Sequence, residues 1–246
     1  MKSKIFFILL LSIVSNVLFA QLRLPALVSD NIILQRNAEN KIWGWASPNE
    51  SVKVVFPDET YQTVANNDGE WSIITKKYDY SPNAIQIEVV GNDTTIVLKN
   101  ILFGDVWICS GQSNMELPIR RVLPLYKDEV KNVFNSNIRY FEVPKIYNFK
   151  APQRDITGGE WKEVNPTNIL DFSAVVYFFA NHLYESYEIP IGMINASVGG
   201  SPIESWMSEE TLKDFPTYYR EMQRFKNDEL IKEIIETDKK NSDEWY

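Results

Sequence analysis

The sequence predicts an α/β protein in two parts, an antiparallel β-sandwich over residues 21–103 followed by an incomplete parallel-sheet domain over residues 104–246. Two observations predict it. Up to Phe103, short apolar strings alternate with Gly, Asn, Asp and Pro turn signals and no helical period intervenes, which is the pattern of hairpins packed as a small sandwich. After Phe103, strands alternate with stretches of helical period, the order of a parallel sheet with crossover helices.

A leader precedes both parts. Lys2 and Lys4 come before an apolar run from Ile5 to Leu11 that continues through Ile13 and Val14 and ends at Val17-Leu18-Phe19-Ala20. The charged, apolar, small-residue order predicts a signal peptide over residues 1–20, cut after Ala20 and too short to span a bilayer comfortably. The expected location of the mature chain is therefore periplasmic or secreted, with no membrane segment left after cleavage.

Strands of the first part are predicted at residues 41–45, 51–56, 71–74, 84–90 and 94–98. Ser47-Pro48-Asn49, Asn66-Asn67-Asp68-Gly69, Ser81-Pro82-Asn83 and Gly91-Asn92-Asp93 separate them, because Gly, Asn and Asp accept the positive φ of tight corners. The same strands also fit an edge extension of the sheet that follows. In the second part an apolar strand at 105–109 runs into Gly111, a helix begins near Pro124 and ends before Asn137, and a strand occupies 138–143. Phe172, Val175, Val176, Phe179, Leu183 and Tyr187 recur at helical spacing behind Asp171 as N-cap, and this helix leads through Pro190 into a strand at 191–194. From Ser208 onward the chain is highly charged, with Leu212, Phe215, Tyr219, Met222 and Phe225 at helical spacing, and reads as one or two solvated helices.

Composition excludes several functions. The formal charge is -8, and without the leader's two lysines 23 basic residues face 33 acidic ones. With no basic patch, a nucleic acid is not an expected partner. Cys109 is the one cysteine, so it forms no internal disulfide, and its setting in Val106-Trp107-Ile108-Cys109 marks it as a small buried hydrophobe. One cysteine and one histidine do not make a zinc site of the usual ligands, and neither a metal nor a cofactor is expected.

Two segments carry the chemistry. In Gly104-Asp105-Val106-Trp107-Ile108-Cys109-Ser110-Gly111-Gln112-Ser113-Asn114-Met115-Glu116, a buried strand ends in a glycine turn that sets Ser113 at the carboxyl edge of a parallel sheet, where open α/β folds bind ligands. In Ile194-Asn195-Ala196-Ser197-Val198-Gly199-Gly200-Ser201-Pro202-Ile203-Glu204-Ser205-Trp206, adjacent glycines after a second strand let the backbone approach a ligand and offer it an N–H. Taken singly, each segment also suits a plain polar turn.

Together the segments resemble the sialate O-acetylesterase family, a branch of the SGNH (GDSL-like) hydrolases. Gly104 to Trp107 and Gly111 to Glu116 look like its first block. Phe172-Ser173-Ala174-Val175, Pro190 to Asn195 and Gly199 to Ser208 look like its second, and Leu24-Pro25, Val28-Ser29-Asp30-Asn31 and Leu34-Gln35-Arg36 look like the opening of bacterial members with a leading β-sandwich. The resemblance implies an SGNH-type, flavodoxin-like hydrolase domain over residues 104–246. It implies removal of acetyl groups from sugar hydroxyls, on O-acetylated sialic acid or polysaccharide, through an acyl-serine intermediate and with no cofactor. Ser113 is then the nucleophile, the Gly200 N–H an oxyanion donor alongside the Ser113 N–H, and Gly199 the fallback donor. Gln112, Asn114, Glu204 and Trp206 are candidates for contacting substrate, and Trp107 for shaping the cleft.

The family's oxyanion asparagine and its Asp/His pair find no match in these residues. The expectation is an N-terminal fragment of a longer reading frame, inactive alone; the alternative is a noncatalytic carbohydrate-binding or scaffold protein with a vestigial hydrolase domain. His182 does not fill the gap. It lies about 80° from the apolar stripe of its helix at 100° per residue, a surface position out of reach of a serine hydroxyl that a base must approach to about 3 Å.

Overall fold

The computed structural model describes residues 21–245, without the side chain of Pro82; the leader expected over residues 1–20 lies outside the described residues. The first part contains β1 (Ile33–Gln35), β2 (Lys41–Trp45), β3 (Ser51–Val55), β4 (Thr60–Val64), β5 (Glu70–Ile74), β6 (Ser81–Val90) and β7 (Thr95–Gly111). Then come α1 (Ser113–Glu116), α2 (Ile119–Val130), β8 (Asn135–Glu142), β9 (Trp161–Val164), α3 (Ala174–Tyr187), β10 (Ile191–Ser197), α4 (Glu209–Leu212), α5 (Pro216–Arg224) and α6 (Asp228–Trp245). The architecture is mixed α/β.

One sheet runs β4-β3-β6-β7-β10-β8-β9, with β1 also paired to β7, while β2 and β5 form a separate antiparallel ribbon. Alternation drives the first part: Val52 and Val54 of β3 and Trp71 and Ile73 of β5 are buried while their neighbours face outward. Ribbon and sheet share a single core, in which Ile42, Trp71 and Ile73 join Val52, Val54, Ile87 and Val89. Asn49 (φ 62°) and Gly69 (φ 77°) turn the chain at two of the corners the sequence marks. The Ser81-Pro82-Asn83 signal does not make a corner; it opens β6, where shifts in register against β7 take up the irregular residues.

The long strand β7 joins the two parts. Antiparallel to β6 over its first half, it pairs in parallel with β1 at Leu102–Gly104 and with β10 from Asp105 to Gly111. The passage from antiparallel to parallel order thus takes place within one strand, across Phe103 and Gly104, with no linker. A polar clamp sits at this change of partners: Arg36 donates to both Asp105 carboxylate oxygens (2.9 and 3.2 Å), and Gln35 Oε1 accepts the Val106 N–H (2.8 Å). Arg139 on β8 ties the parts together from the other side. Almost fully buried, its guanidinium donates to the carbonyls of Asn31 (2.8 Å), Ser136 (2.9 Å) and Asn100 and to Asn100 Oδ1 (3.0 Å).

The strands β7, β10 and β8 are mutually parallel, as the strand-helix order requires, and α2 and α3 cover one face over a second core of Ile119, Ile138, Tyr140, Phe172, Val176, Tyr177 and Met193. Three helical expectations need correction. The helix placed near Pro124 begins at Ile119; Pro124 lies inside it and, lacking an N–H, loosens the ladder, with non-helical backbone two residues on at Tyr126. The N-cap of α3 is Ser173, whose Oγ accepts the Val176 N–H (3.4 Å); Asp171 ends a preceding 3-10 turn and pairs with Arg120. Finally, α3 buries Ala174, Val176, Tyr177 and Ala180 rather than the stripe through Val175, Phe179 and Tyr187, because it is apolar nearly all round and its period does not single out one face.

Candidate active site

Parallel pairing brings the two glycine-bearing turns to the same edge of the sheet. The last residues of β7 and β10 are partners, Gly111 with Ser197, and the Val198 N–H continues the ladder onto the Gly111 carbonyl at 3.0 Å. Beyond this point the chains turn in opposite ways. After β7, Gly111 holds φ 146°, and a Cβ there would meet the Met115 side chain at 2.8 Å, so only glycine leads into α1. After β10, Gly199 passes so close to the Ser113 turn that a Cβ on it would lie 3.7 Å from the Ser113 Cα.

Ser113 is exposed at the first position of α1. Its N–H and its hydroxyl both donate to Gln112 Oε1, at 3.1 and 2.8 Å. That amide oxygen therefore lies where an oxygen polarised by the Ser113 N–H would bind. The second turn offers two backbone donors in different states. The Gly199 N–H donates to Glu116 Oε2, and Glu116 Oε1 pairs with Lys145, which follows β8. Among the described residues the Gly200 N–H has no hydrogen-bond partner, and the space where its side chain would stand is open.

The remaining candidates divide by position. Asn114 is exposed beside Ser113, with no hydrogen bond from its amide among the described residues. Glu204 and Trp206 lie in a 3-10 turn, Ile203–Trp206, just after the glycines; the indole N–H donates to Ser201 Oγ (3.0 Å), which in turn donates to the Val198 carbonyl (2.6 Å). Trp107 is not at this edge. It stands four residues before Gly111, about 13 Å down the strand at 3.3 Å per residue, edge-on to Phe179 of α3 (5.1 Å between centroids). Glu116 and Lys145 went unrecognised in the sequence. Glu116 stood inside the first block with nothing to separate it from its neighbours, and Lys145 lay in an unpatterned stretch.

Helix α3 starts at this edge, its Ala174 N–H bonded to the Leu117 carbonyl at 2.9 Å. His182 comes eight residues later, about 12 Å along the axis at 1.5 Å per residue, and it is exposed on the face opposite Val176, Tyr177 and Ala180. Within the second core, burial raises the Cys109 thiol pKa and pushes the Tyr140 phenol up to about 12, although the Asn195 amide donates to the Tyr140 oxygen at 2.5 Å. A cavity of about 390 Å³ opens at the end of β8 between Tyr140, Glu142, Glu160, Lys162, Asp171 and Phe172; Ser113 and Gly200 do not line it. Burial also raises the Glu142 carboxyl pKa there, against the opposing charge of Lys162. Among the described residues no group of three or more His, Cys, Asp or Glu side chains is placed to hold a metal ion, and no helix is long and apolar enough to cross a membrane.

Residues 103–236 match the family described as carbohydrate esterase, sialic acid-specific acetylesterase. The chain is similar to the sialate O-acetylesterase of Mus musculus, 29% identical over 211 residues that cover 78% of this chain and 38% of that protein. Likewise it is similar to the sialate O-acetylesterase of Homo sapiens, 29% identical over 213 residues that cover 78% of this chain and 40% of that protein. Among solved structures it resembles a carbohydrate acetylesterase from Xanthomonas citri, with a TM-score of 0.74 and 35% identity over 78% of this chain and 44% of that one. The chain thus spans about two fifths of the length of these relatives.

Proposed function

As the chain belongs to the carbohydrate esterase, sialic acid-specific acetylesterase family, we propose that it carries the nucleophile and backbone oxyanion donors of an enzyme removing acetyl groups from sugar hydroxyls. The observation that carries this reading is the shared edge: Ser113 and the free Gly200 N–H sit on turns that touch. The proposed substrates are O-acetylated sialic acid or an O-acetylated polysaccharide. The N-terminal strands are read as the β-sandwich, and the parallel strands with their helices as part of an SGNH-type domain.

In the proposed reaction the Ser113 oxygen bonds to the acetyl carbonyl carbon as its proton passes to a base, and the carbonyl oxygen becomes an oxyanion held by the Ser113 and Gly200 N–H groups. Gln112 Oε1 gives up the Ser113 N–H when this oxygen arrives. Collapse breaks the bond to the sugar oxygen, which takes the proton back, and water then frees acetate from Ser113 by the same steps. His182, the sequence's single histidine, faces away and is not the proposed base; on the family resemblance the base, its orienting aspartate and a further oxyanion asparagine are proposed to come from outside these 246 residues. Residues 1–20 are proposed to direct export, on their charged, apolar, small-residue order.

Acetate release from O-acetylated sialic acid and from an acetylated polysaccharide, by the gene's complete product, tests the reading. Turnover of either that is lost on Ser113→Ala supports it. Glycan binding without Ser113-dependent hydrolysis would establish the noncatalytic alternative instead.

A further inference from the structure

Three strand ends meet at one carboxylate. Glu116 closes α1, directly after β7; its Oε2 accepts the N–H of Gly199, directly after β10; and its Oε1 pairs with Lys145, three residues past β8. We infer that Glu116 is a positioning residue that claims the Gly199 N–H, fixes the glycine turn against the nucleophile turn, and leaves the Gly200 N–H as the donor facing substrate. This inference rests on the reading of Ser113 as acyl acceptor, and it decides between the two adjacent glycine donors.

The two glycines are needed for different reasons. At position 199 a side chain would run into the Glu116 carboxylate, with Ser113 in ordinary contact beside it. At position 200 nothing stands within 4 Å of where a Cβ would be, but φ is 77°, a conformation side chains disfavour. One glycine admits the latch, and the other takes the positive φ by which the chain leaves the turn. Preorganised donors stabilise an oxyanion because they need no reorganisation at the moment of reaction, and a turn anchored at the preceding residue meets that need. An unpaired carboxylate so close to a developing oxyanion would oppose it. Lys145 removes that objection by sharing the Glu116 carboxylate, so the pair presents little net charge to the site.

The sequence contains ten glycines, so selective labelling with 15N-glycine gives a backbone spectrum in which Gly199 is assigned by its loss in Gly199→Ala. An N–H donating to a carboxylate resonates far downfield and exchanges slowly. Glu116→Ala is expected to move the Gly199 signal upfield and speed its exchange while signals remote from the turns stay in place; Glu116→Gln, which keeps an acceptor oxygen, restores most of the shift. A Gly199 signal indifferent to Glu116→Ala overturns the inference; if the alanine variant does not fold, Glu116→Leu, which removes the acceptor at similar size, decides by the same signal. In the gene's complete product, kcat for ester hydrolysis should fall about tenfold in Glu116→Ala, a fraction of the loss typical for deleting an oxyanion donor, with KM little changed and with recovery in Glu116→Gln. Unchanged kcat with a shifted Gly199 signal also counts against it, since the latch would then position nothing. Hydrolysis that survives Ser113→Ala would sink the esterase reading while leaving the spectroscopic result standing.

Discussion

Cys109 and Glu142 show how desolvation acts on single residues in the second part, Cys109 inside the core and Glu142 at an exposed strand end. Cys109 lies 8% exposed among Ile138, Met193 and Tyr140, and burial raises its thiol pKa, so little thiolate forms at neutral pH. Labelling of the folded protein with a thiol reagent is expected to be negligible until denaturant is added; rapid labelling under native conditions would contradict this packing. Glu142 behaves oppositely to a paired carboxylate. Although the residue is exposed, partial desolvation of its carboxyl raises the pKa against Lys162 and Arg120, with Asp171 adding to the rise, so the folded chain holds the proton somewhat more tightly than the unfolded one. Its favourable contribution is present below the unfolded value and lost as pH rises through the folded value. Glu142→Gln, uncharged throughout, should therefore raise Tm at neutral pH and lose that advantage in acid, as thermal melts across pH will show. At this scale Cys109 was legible because an apolar string surrounds it. The Glu116 latch was not, because a hydrogen bond to a backbone N–H 83 residues away leaves no trace in local pattern.

Among the elements, β7 and β8 bind the two parts of the described structure into one. Arg139 of β8, itself 1% exposed, reaches across to the part-buried carbonyls of Asn31 and Asn100. Burial lowers its guanidinium pKa to about 10, with Glu163 opposing, and it stays charged at neutral pH. Arg139→Met should cost about 2 kcal/mol, because the part-buried carbonyls of Asn31, Ser136 and Asn100 lose their donor and such a loss runs to about 1–3 kcal/mol where the group is buried. Denaturant unfolding of the two proteins measures this, and a change below about 1 kcal/mol would mean that water or a rearranged strand replaces the guanidinium. Alternation disclosed β2, β3 and β5, since each buries every second residue. It missed β4, where Thr60–Val64 buries nothing, and β1, three residues long. The unbroken course of β7 was hidden by Asn100, whose φ of 58° and the nearby register shift make one strand read as two.

For the whole molecule, parallel pairing of β7 with β10 is what brings the two turns of the proposed site to one edge. The sequence showed the turns, and the family resemblance implied that they act together, but only the register of Gly111 with Ser197 brings the two within contact. Helix α3 sets the complementary limit: it begins at that edge and carries His182 away from it. General-base help is typically worth about a hundredfold to ten-thousandfold, so a serine without it turns over slowly even beside intact oxyanion donors. The most direct measurement is acetyl-ester hydrolysis by the 246-residue chain and by the gene's complete product, each also as Ser113→Ala and His182→Ala. Near-absent turnover by the 246 residues is expected, with Ser113-dependent turnover by the complete product that His182→Ala leaves nearly unchanged. Brisk turnover by the 246-residue chain that disappears in both Ser113→Ala and His182→Ala would contradict that expectation.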